Sequence, residues 1–177
     1  MCKFYNQQYV KKKIDYRAVM PCNLYGPGDN YDPNYGHVIP SLIYKFHKAK
    51  TRSEKKVKIW GDGTPKREFL HVKDMAEACI YLMNISKKRF YNLKKNNTEH
   101  VNIGSGTEIT IYDLAKLISK TIGYKGKIVF DKSKPNGTIR KLLDCSKLKK
   151  LGWKAKIKLQ QGIKESYLYY IKMNDEY

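Results

Sequence analysis

The chain has 177 residues, with 36 Lys and Arg against 16 Asp and Glu, for a formal net charge of +20. Its 41% hydrophobic content suffices for a core, while its length bounds it to one domain, or one domain plus a remnant of another. A bilayer span is excluded, because the longest apolar runs, such as Ala76 to Met83, fall far below the roughly 20 residues a crossing requires.

In chain order, residues near 2 to 12 read as the end of a helix, and Tyr16 to Met20 as a strand. That strand enters a turn-rich loop from Pro21 to Asn30. Ile39, Leu42, Ile43 and Phe46 recur at helical spacing within Val38 to Ala49. Val57 to Trp60 alternates as a short strand, and Asp62-Gly63 makes the next turn. A short apolar strand then leads into a helix running to Met83, with Asp74 as its predicted cap. The Lys87 to His100 segment, rich in Lys and Asn, reads as a loop. Val101 to Ile103 is a strand, followed by a helix from Thr110 to Thr121 that Thr110 caps, with Asp113 in the capping-box position and Gly123 closing it. Lys127 to Phe130 is a strand, Pro135 to Gly137 a turn, and two helices follow over about Cys145 to Leu151 and Leu159 to Met173. Alternating elements of this kind indicate an α/β layer architecture.

Cys2, Cys22, Cys79 and Cys145 are widely spaced, with no C-x-x-C pair and no histidine at metal-ligand spacing. Neither a disulfide framework nor a metal site is indicated, and a reducing cytoplasm is the expected setting. Nothing at the N-terminus has a signal-peptide layout. The positive charge raises nucleic acid as a partner. However, only Arg17, Arg52, Arg67, Arg89 and Arg140 are arginines, whereas bidentate phosphate and base contacts favour arginine. The lysines, including Lys11-Lys12-Lys13, Lys55-Lys56 and Lys147-Lys149-Lys150, are expected to face water. A basic polyanion-binding fragment without enzymatic activity stays open as an alternative.

The run Gly61-Asp62-Gly63-Thr64-Pro65-Lys66-Arg67-Glu68-Phe69-Leu70-His71-Val72-Lys73-Asp74 sets an arginine between a glycine-rich turn and a strand. Its planar fork can clamp a phosphate, or it can simply pair with Glu68 in a surface turn. Pro21-Cys22-Asn23-Leu24-Tyr25-Gly26-Pro27-Gly28-Asp29-Asn30 and His37-Val38-Ile39-Pro40 form a second constellation. Asn23 offers a donor and an acceptor, and His37 has the intrinsic pKa of a group that exchanges protons. His71, in a strand, reads as a satisfied core or boundary residue.

Together with Ile59-Trp60-Gly61, Val101-Asn102-Ile103-Gly104-Ser105-Gly106, Ser133-Lys134-Pro135-Asn136-Gly137-Thr138, Arg140-Lys141-Leu142-Leu143-Asp144 and Leu151-Gly152-Trp153, these runs resemble the C-terminal half of the GDP-L-fucose synthases, within the extended short-chain dehydrogenase/reductase superfamily. The resemblance covers the chain almost end to end. It implies the remnant of a Rossmann-type parallel sheet over residues 1–35, then a small α/β substrate-binding domain over 36–177, with the strand near 101–103 returning to the sheet. A glycine-rich G-x-G-x-x-G turn and the Tyr-x-x-x-Lys pair are absent from the sequence. The chain therefore reads as a C-terminal piece, inactive alone, with exposed strand edges that predict poor stability.

The activity implied is NADPH-dependent 3,5-epimerisation and 4-reduction of GDP-4-keto-6-deoxy-D-mannose. NADP(H) would be held mostly by the other half, with Pro21, Cys22, Asn23, Leu24 and His37 at its nicotinamide end. His37 is implied as the acid of the epimerisation, and Asn23, Lys45, Trp60, Arg67, Asn136 and Lys141 as substrate contacts. Lys45 stands where the family has arginine, and Asn136 where it commonly has aspartate. Cys22 is read as a packing residue. The family forms homodimers through helices that lie largely upstream, so dimerisation is not expected of this half. Another nucleotide-sugar epimerase or reductase of the superfamily is the nearest rival.

Overall fold

The computed structural model describes residues 1–9, 11, 14–92 and 100–175. A short helix α1 (Cys2–Gln8) precedes strand β1 (Ala18–Pro21), which lies parallel to a strand far along the chain, β5 (His100–Ile103), with Ala18 opposite His100 and Pro21 opposite Ile103. These are the two strands that the family resemblance assigns to a Rossmann-type sheet. Among the described residues they form a sheet of their own.

The segment after Pro21 differs from the expected loop. Cys22 donates its N–H to Ile103, and the chain then leaves this sheet to form β2 (Asn23–Tyr25), parallel to β4 (Lys66–His71). Asn23 faces Phe69, Leu24 faces Leu70 and Tyr25 faces His71. Turn-forming residues crowd Pro21 to Asn30, yet Leu24 and Tyr25 have apolar neighbours to pack against and backbone partners on β4, and these outweigh local turn propensity. Two further strands beside β4 escaped the sequence reading because each is only two or three residues long. β6 (Glu108–Thr110) pairs antiparallel with Lys66 to Glu68, and β8 (Arg140–Lys141) pairs parallel, setting Lys141 beside Arg67. A third small sheet joins β3 (Lys56–Trp60) to β7 (Lys127–Asp131).

One core gathers Ile39, Ile43 and Phe46 of α2 (Val38–Thr51), Leu114, Ile118 and Ile122 of α5 (Ile111–Ile122), and Ile163 of α7 (Leu159–Asp175), all at most 2% exposed. Each such side chain contributes about 1.5–3 kcal/mol by burial. A second core unites Val101 and Ile103 of β5 with Leu70, with Ala78 and Leu82 of α3 (Val72–Asn84), and with Leu148, Leu151 and Trp153 around α6 (Ser146–Lys150). Helix α5 starts and stops as its sequence predicts: the Thr110 hydroxyl accepts from the Asp113 N–H, and Gly123 takes the left-handed conformation at φ 76°.

Helix α3 does not. Its cap is His71, whose Nδ1 accepts from the Lys73 N–H, while Asp74 lies inside the first turn. The buried Asp74 carboxylate instead accepts from the N–H groups of Lys156 and Ile157, tying the chain before α7 to this helix. The expected Lys87 to His100 loop begins with α4 (Lys87–Tyr91), capped by Ser86 and anchored by the buried Phe90. Residues 93–99 and part of the Lys11-Lys12-Lys13 cluster lie outside the described residues. Lys55, Lys56, Lys149 and Lys150 face solvent.

Candidate active site

Two adjoining clefts share Asn23 and meet at the segment 36–38. The first, of about 320 Å³, is walled by Val38, Leu42 and Lys45 of α2, Trp60 at the end of β3, Arg67 and Phe69 of β4, and Asn136. Strand alternation sends Arg67 toward this cleft and its neighbour Glu68 the other way. Arg67 does not pair with Glu68: its guanidinium donates to the Lys66 carbonyl and packs by Gly137, where a Cβ would lie 3.6 Å from Nη2. Neither Arg67 nor Lys45 has a carboxylate partner among the described residues. Burial pulls the pKa of Lys45 below its ordinary value, since its ammonium gives up water without gaining a counter-charge.

Trp60 stays 58% exposed at the mouth of this cleft, an unusual setting for an indole. The ammonium groups of Lys45 and Lys134 each lie 5.8 Å from its ring centroid. Asn136 lines the cleft, but its Oδ1 is engaged with the Asp62 N–H at 2.8 Å. It lies so close to Gly61 that a Cβ there would meet Oδ1 at 2.3 Å. At φ 81° and with that contact, position 61 admits only glycine. Asp62 closes the turn by accepting from the Thr64 N–H and hydroxyl, which hold its pKa at about 2.

The second cleft is walled by Pro21 to Asp29, His37 and Val72. All the expected cofactor contacts, Pro21, Cys22, Asn23, Leu24 and His37, line it. His37 is the N-cap residue of α2, but its imidazole makes no capping bond and is exposed. It therefore faces the cleft beside the one holding Arg67, with Asn23 common to both. Burial, with Glu68 nearby, pushes the Cys22 thiol up to about 12, which suits a packing residue and not a nucleophile. Lys141 lines neither cleft; it is exposed on the strand beside Arg67.

Behind both clefts sits a residue whose role the sequence did not reveal. Glu68 is 0% exposed, and its carboxylate accepts from the N–H groups of Gly106 and Leu143 at 2.6 and 3.0 Å. Its carbonyl accepts from the Asn23 side-chain amide at 2.7 Å. One residue thus fixes the turn after β5, the segment after β8 and the asparagine shared by the clefts. A lone glutamate in a strand carries no local signal for this. The nearest clue is Gly104, where a Cβ would lie 2.4 Å from the same carboxylate. Lys134, which meets the Trp60 ring, carries no signal of its own within the Ser133 to Thr138 run. Among the described residues no cluster of three or more His, Cys, Asp or Glu could hold a metal ion, and no helix is long and apolar enough to cross a membrane.

Comparison with known proteins gives three consistent results. Residues 1–104 match the model of the NAD dependent epimerase/dehydratase family. The chain is 46% identical over 177 residues to GDP-L-fucose synthase of Escherichia coli (strain K12), covering all of this chain and 54% of that protein. It is 47% identical to GDP-L-fucose synthase 1 of Arabidopsis thaliana, covering 97% of this chain and 49% of the relative. It thus spans about half the length of the curated relatives it matches. Among solved structures, a GDP-D-glycero-L-gluco-heptose synthase from Campylobacter jejuni, determined in the presence of NADPH, superposes with a TM-score of 0.86 at 34% identity, over 96% of this chain and 56% of that one. A GDP-L-fucose synthetase from Naegleria fowleri bound to NADP superposes at 0.85 with 26% identity, over 98% and 53%.

Proposed function

The chain belongs to the NAD dependent epimerase/dehydratase family, and from that premise we propose that it is the substrate-binding, C-terminal part of a GDP-L-fucose synthase, acting in the NADPH-dependent 3,5-epimerisation and 4-reduction of GDP-4-keto-6-deoxy-D-mannose. The observation that carries the reading is a cleft holding Arg67 and Lys45, without carboxylate partners among the described residues, beside an exposed Trp60 and joined through Asn23 to a second cleft that holds His37. Two cations beside an indole suit a nucleoside diphosphate. The guanidinium grips phosphate oxygens in pairs, Lys45 adds a point charge, and the flat face of Trp60 receives the base. Lys141, on the strand beside Arg67, adds long-range attraction for the same anion. The sugar then extends past Asn23, whose Nδ2 is held by Glu68 and whose Oδ1 accepts from a sugar hydroxyl. At His37 an imidazole free of its helix delivers a proton to a sugar carbon.

The second cleft fits the nicotinamide end of NADP(H) and not its phosphates. Its lining is largely apolar with an amide at Asn23, and its charged residue is acidic, Asp29, with no lysine or arginine among the described residues. When bound, the nicotinamide supplies the hydride for the reduction. Asn23 and the neutral Cys22 thiol orient the ring, and Pro21 and Leu24 exclude water around it.

The test is GDP binding followed by Trp60 fluorescence. Saturable quenching is expected, with Arg67→Ala weakening it about thirtyfold or more, as loss of a hydrogen bond to a charged group implies. Undiminished binding by Arg67→Ala would remove the diphosphate assignment. A second reading, a reductase of another GDP-sugar, is favoured by the likeness to a GDP-6-OMe-4-keto-L-xylo-heptose reductase from Campylobacter jejuni at 33% identity. Deuterium wash-in at the sugar carbons, abolished by His37→Gln in a chain joined to a nucleotide-binding half, separates the two.

A further inference from the structure

The wall of the second cleft rests on a buried histidine that the proposed reaction does not use. His71, at the end of β4, is 1% exposed. Its Nδ1 accepts from the Lys73 N–H at 3.2 Å, which caps α3. A ring nitrogen that accepts carries no proton, so in the neutral imidazole the proton sits on Nε2. Nε2 has no hydrogen-bond partner among the described residues, and a Glu165 carboxylate oxygen on α7 lies 3.8 Å away, just out of reach.

The same ring supports the turn above it. Tyr25 meets it edge-on at 5.3 Å between centroids, and α7 presses in so closely that a Cβ on Gly162 would lie 2.8 Å from the imidazole. A Cβ on Gly26 would come to 3.4 Å from His71 Nε2 and 2.6 Å from Val72 Cγ1. Val72 is the first residue of the helix that His71 caps, and both Gly26 and Val72 line the cleft. The cap, the helix start and the cleft wall are therefore one packed unit.

We propose that His71 is a positioning residue for the Tyr25–Asp29 wall, and that it acts only as the neutral Nε2–H tautomer, in which Nδ1 holds the first turn of α3 and keeps Val72 against Gly26. A proton on Nδ1 would turn the acceptor into a donor facing the Lys73 N–H, and the cap would be lost. The groups facing the ring from each packed element are the Tyr25 phenol on β2, Lys73 and Asp74 on α3, and Glu165 on α7. Lys73 pairs with Glu165 at 3.0 Å, and Asp74 is held by two backbone N–H groups, so neither carboxylate is free to compensate a buried imidazolium in full. Burial accordingly lowers the pKa of His71 against the opposing pull of Glu165. The neutral tautomer thus persists below the usual histidine midpoint, and the unit loosens only as pH falls through that lowered value.

The experiment is NMR on the chain itself and does not depend on which ligand the cleft takes. Imidazole nitrogen shifts should report an unprotonated Nδ1 at neutral pH. On acidification the Val72 methyls and the Gly26 amide should move with the His71 midpoint, below about 6.5. His71→Asn keeps a capping oxygen without a titrating group, so it should retain slow exchange of the Lys73 amide and lose the acid-side movement. His71→Ala should speed that exchange about fivefold, the usual effect of a lost cap. A proton found on Nδ1 would overturn the proposal, and so would Val72 and Gly26 titrating in His71→Asn as in the parent chain.

Discussion

Glutamine at position 68 preserves side-chain volume while removing half of its acceptors, which makes Glu68→Gln a sharp test of how the clefts are held together. In the native chain one carboxylate oxygen accepts from Gly106 N and the other from Leu143 N, and the residue is 0% exposed. An amide group has one acceptor and one donor end, so one of those two N–H groups must face another donor. The lost hydrogen bond to a carboxylate costs about 1.5–3 kcal/mol, and the orphaned buried N–H about 1–3 kcal/mol more. Allowing for overlap between the two, the expected loss is about 3–5 kcal/mol. No cavity is created, so none of this is packing. Urea unfolding in a sucrose-containing buffer, which shifts the equilibrium toward the folded state, should show the midpoint falling by about 2 M at a slope near 2 kcal/mol per molar. A midpoint shift under about 0.5 M with an unchanged slope would refute the reasoning, because the carboxylate would then be filling space and no more.

Lys45 ties ligand affinity to pH. Burial lowers its pKa below 10.5, and a bound diphosphate favours the ammonium, so GDP affinity should fall as pH rises through that lowered value; Lys45→Arg should flatten the profile in fluorescence titrations. Cys22, with its pKa near 12, should react with iodoacetamide at about pH 8 roughly a hundredfold or more slower than an ordinary thiol, and mass spectrometry showing it labelled within tenfold of the ordinary thiol's rate would contradict that raised pKa. Thr110→Ala should cost about 1 kcal/mol by removing the cap of α5, measured by chemical denaturation. Joining the chain to a nucleotide-binding half should raise its thermal midpoint, because β1 and β5 form a parallel pair with no further strand among the described residues and Met20 on β1 is 48% exposed; an unchanged calorimetric midpoint would argue otherwise.

Signals that live within a few residues were legible from the amino-acid order alone. The caps of α5, the helical period of α2 and the glycine turn before Arg67 depend on neighbours in sequence, and all three are found where they were read. That the strands near Val19 and Val101 share a sheet follows from the family resemblance and not from local signals, and the two pair in parallel. What sequence could not reveal depends on partners far along the chain. Asp74 and His71 exchange the expected capping role because residues 156–157 claim the carboxylate, 82 and 83 positions away. Asn23 to Tyr25 becomes a strand because β4 lies alongside it. Glu68 is a structural anchor because the amides that meet it come from positions 106 and 143. Local propensity amounts to tenths of a kcal/mol per residue, whereas a buried polar group left without a partner costs whole units. Only the folded chain determines which distant groups satisfy the buried ones, and so which residues face the two clefts.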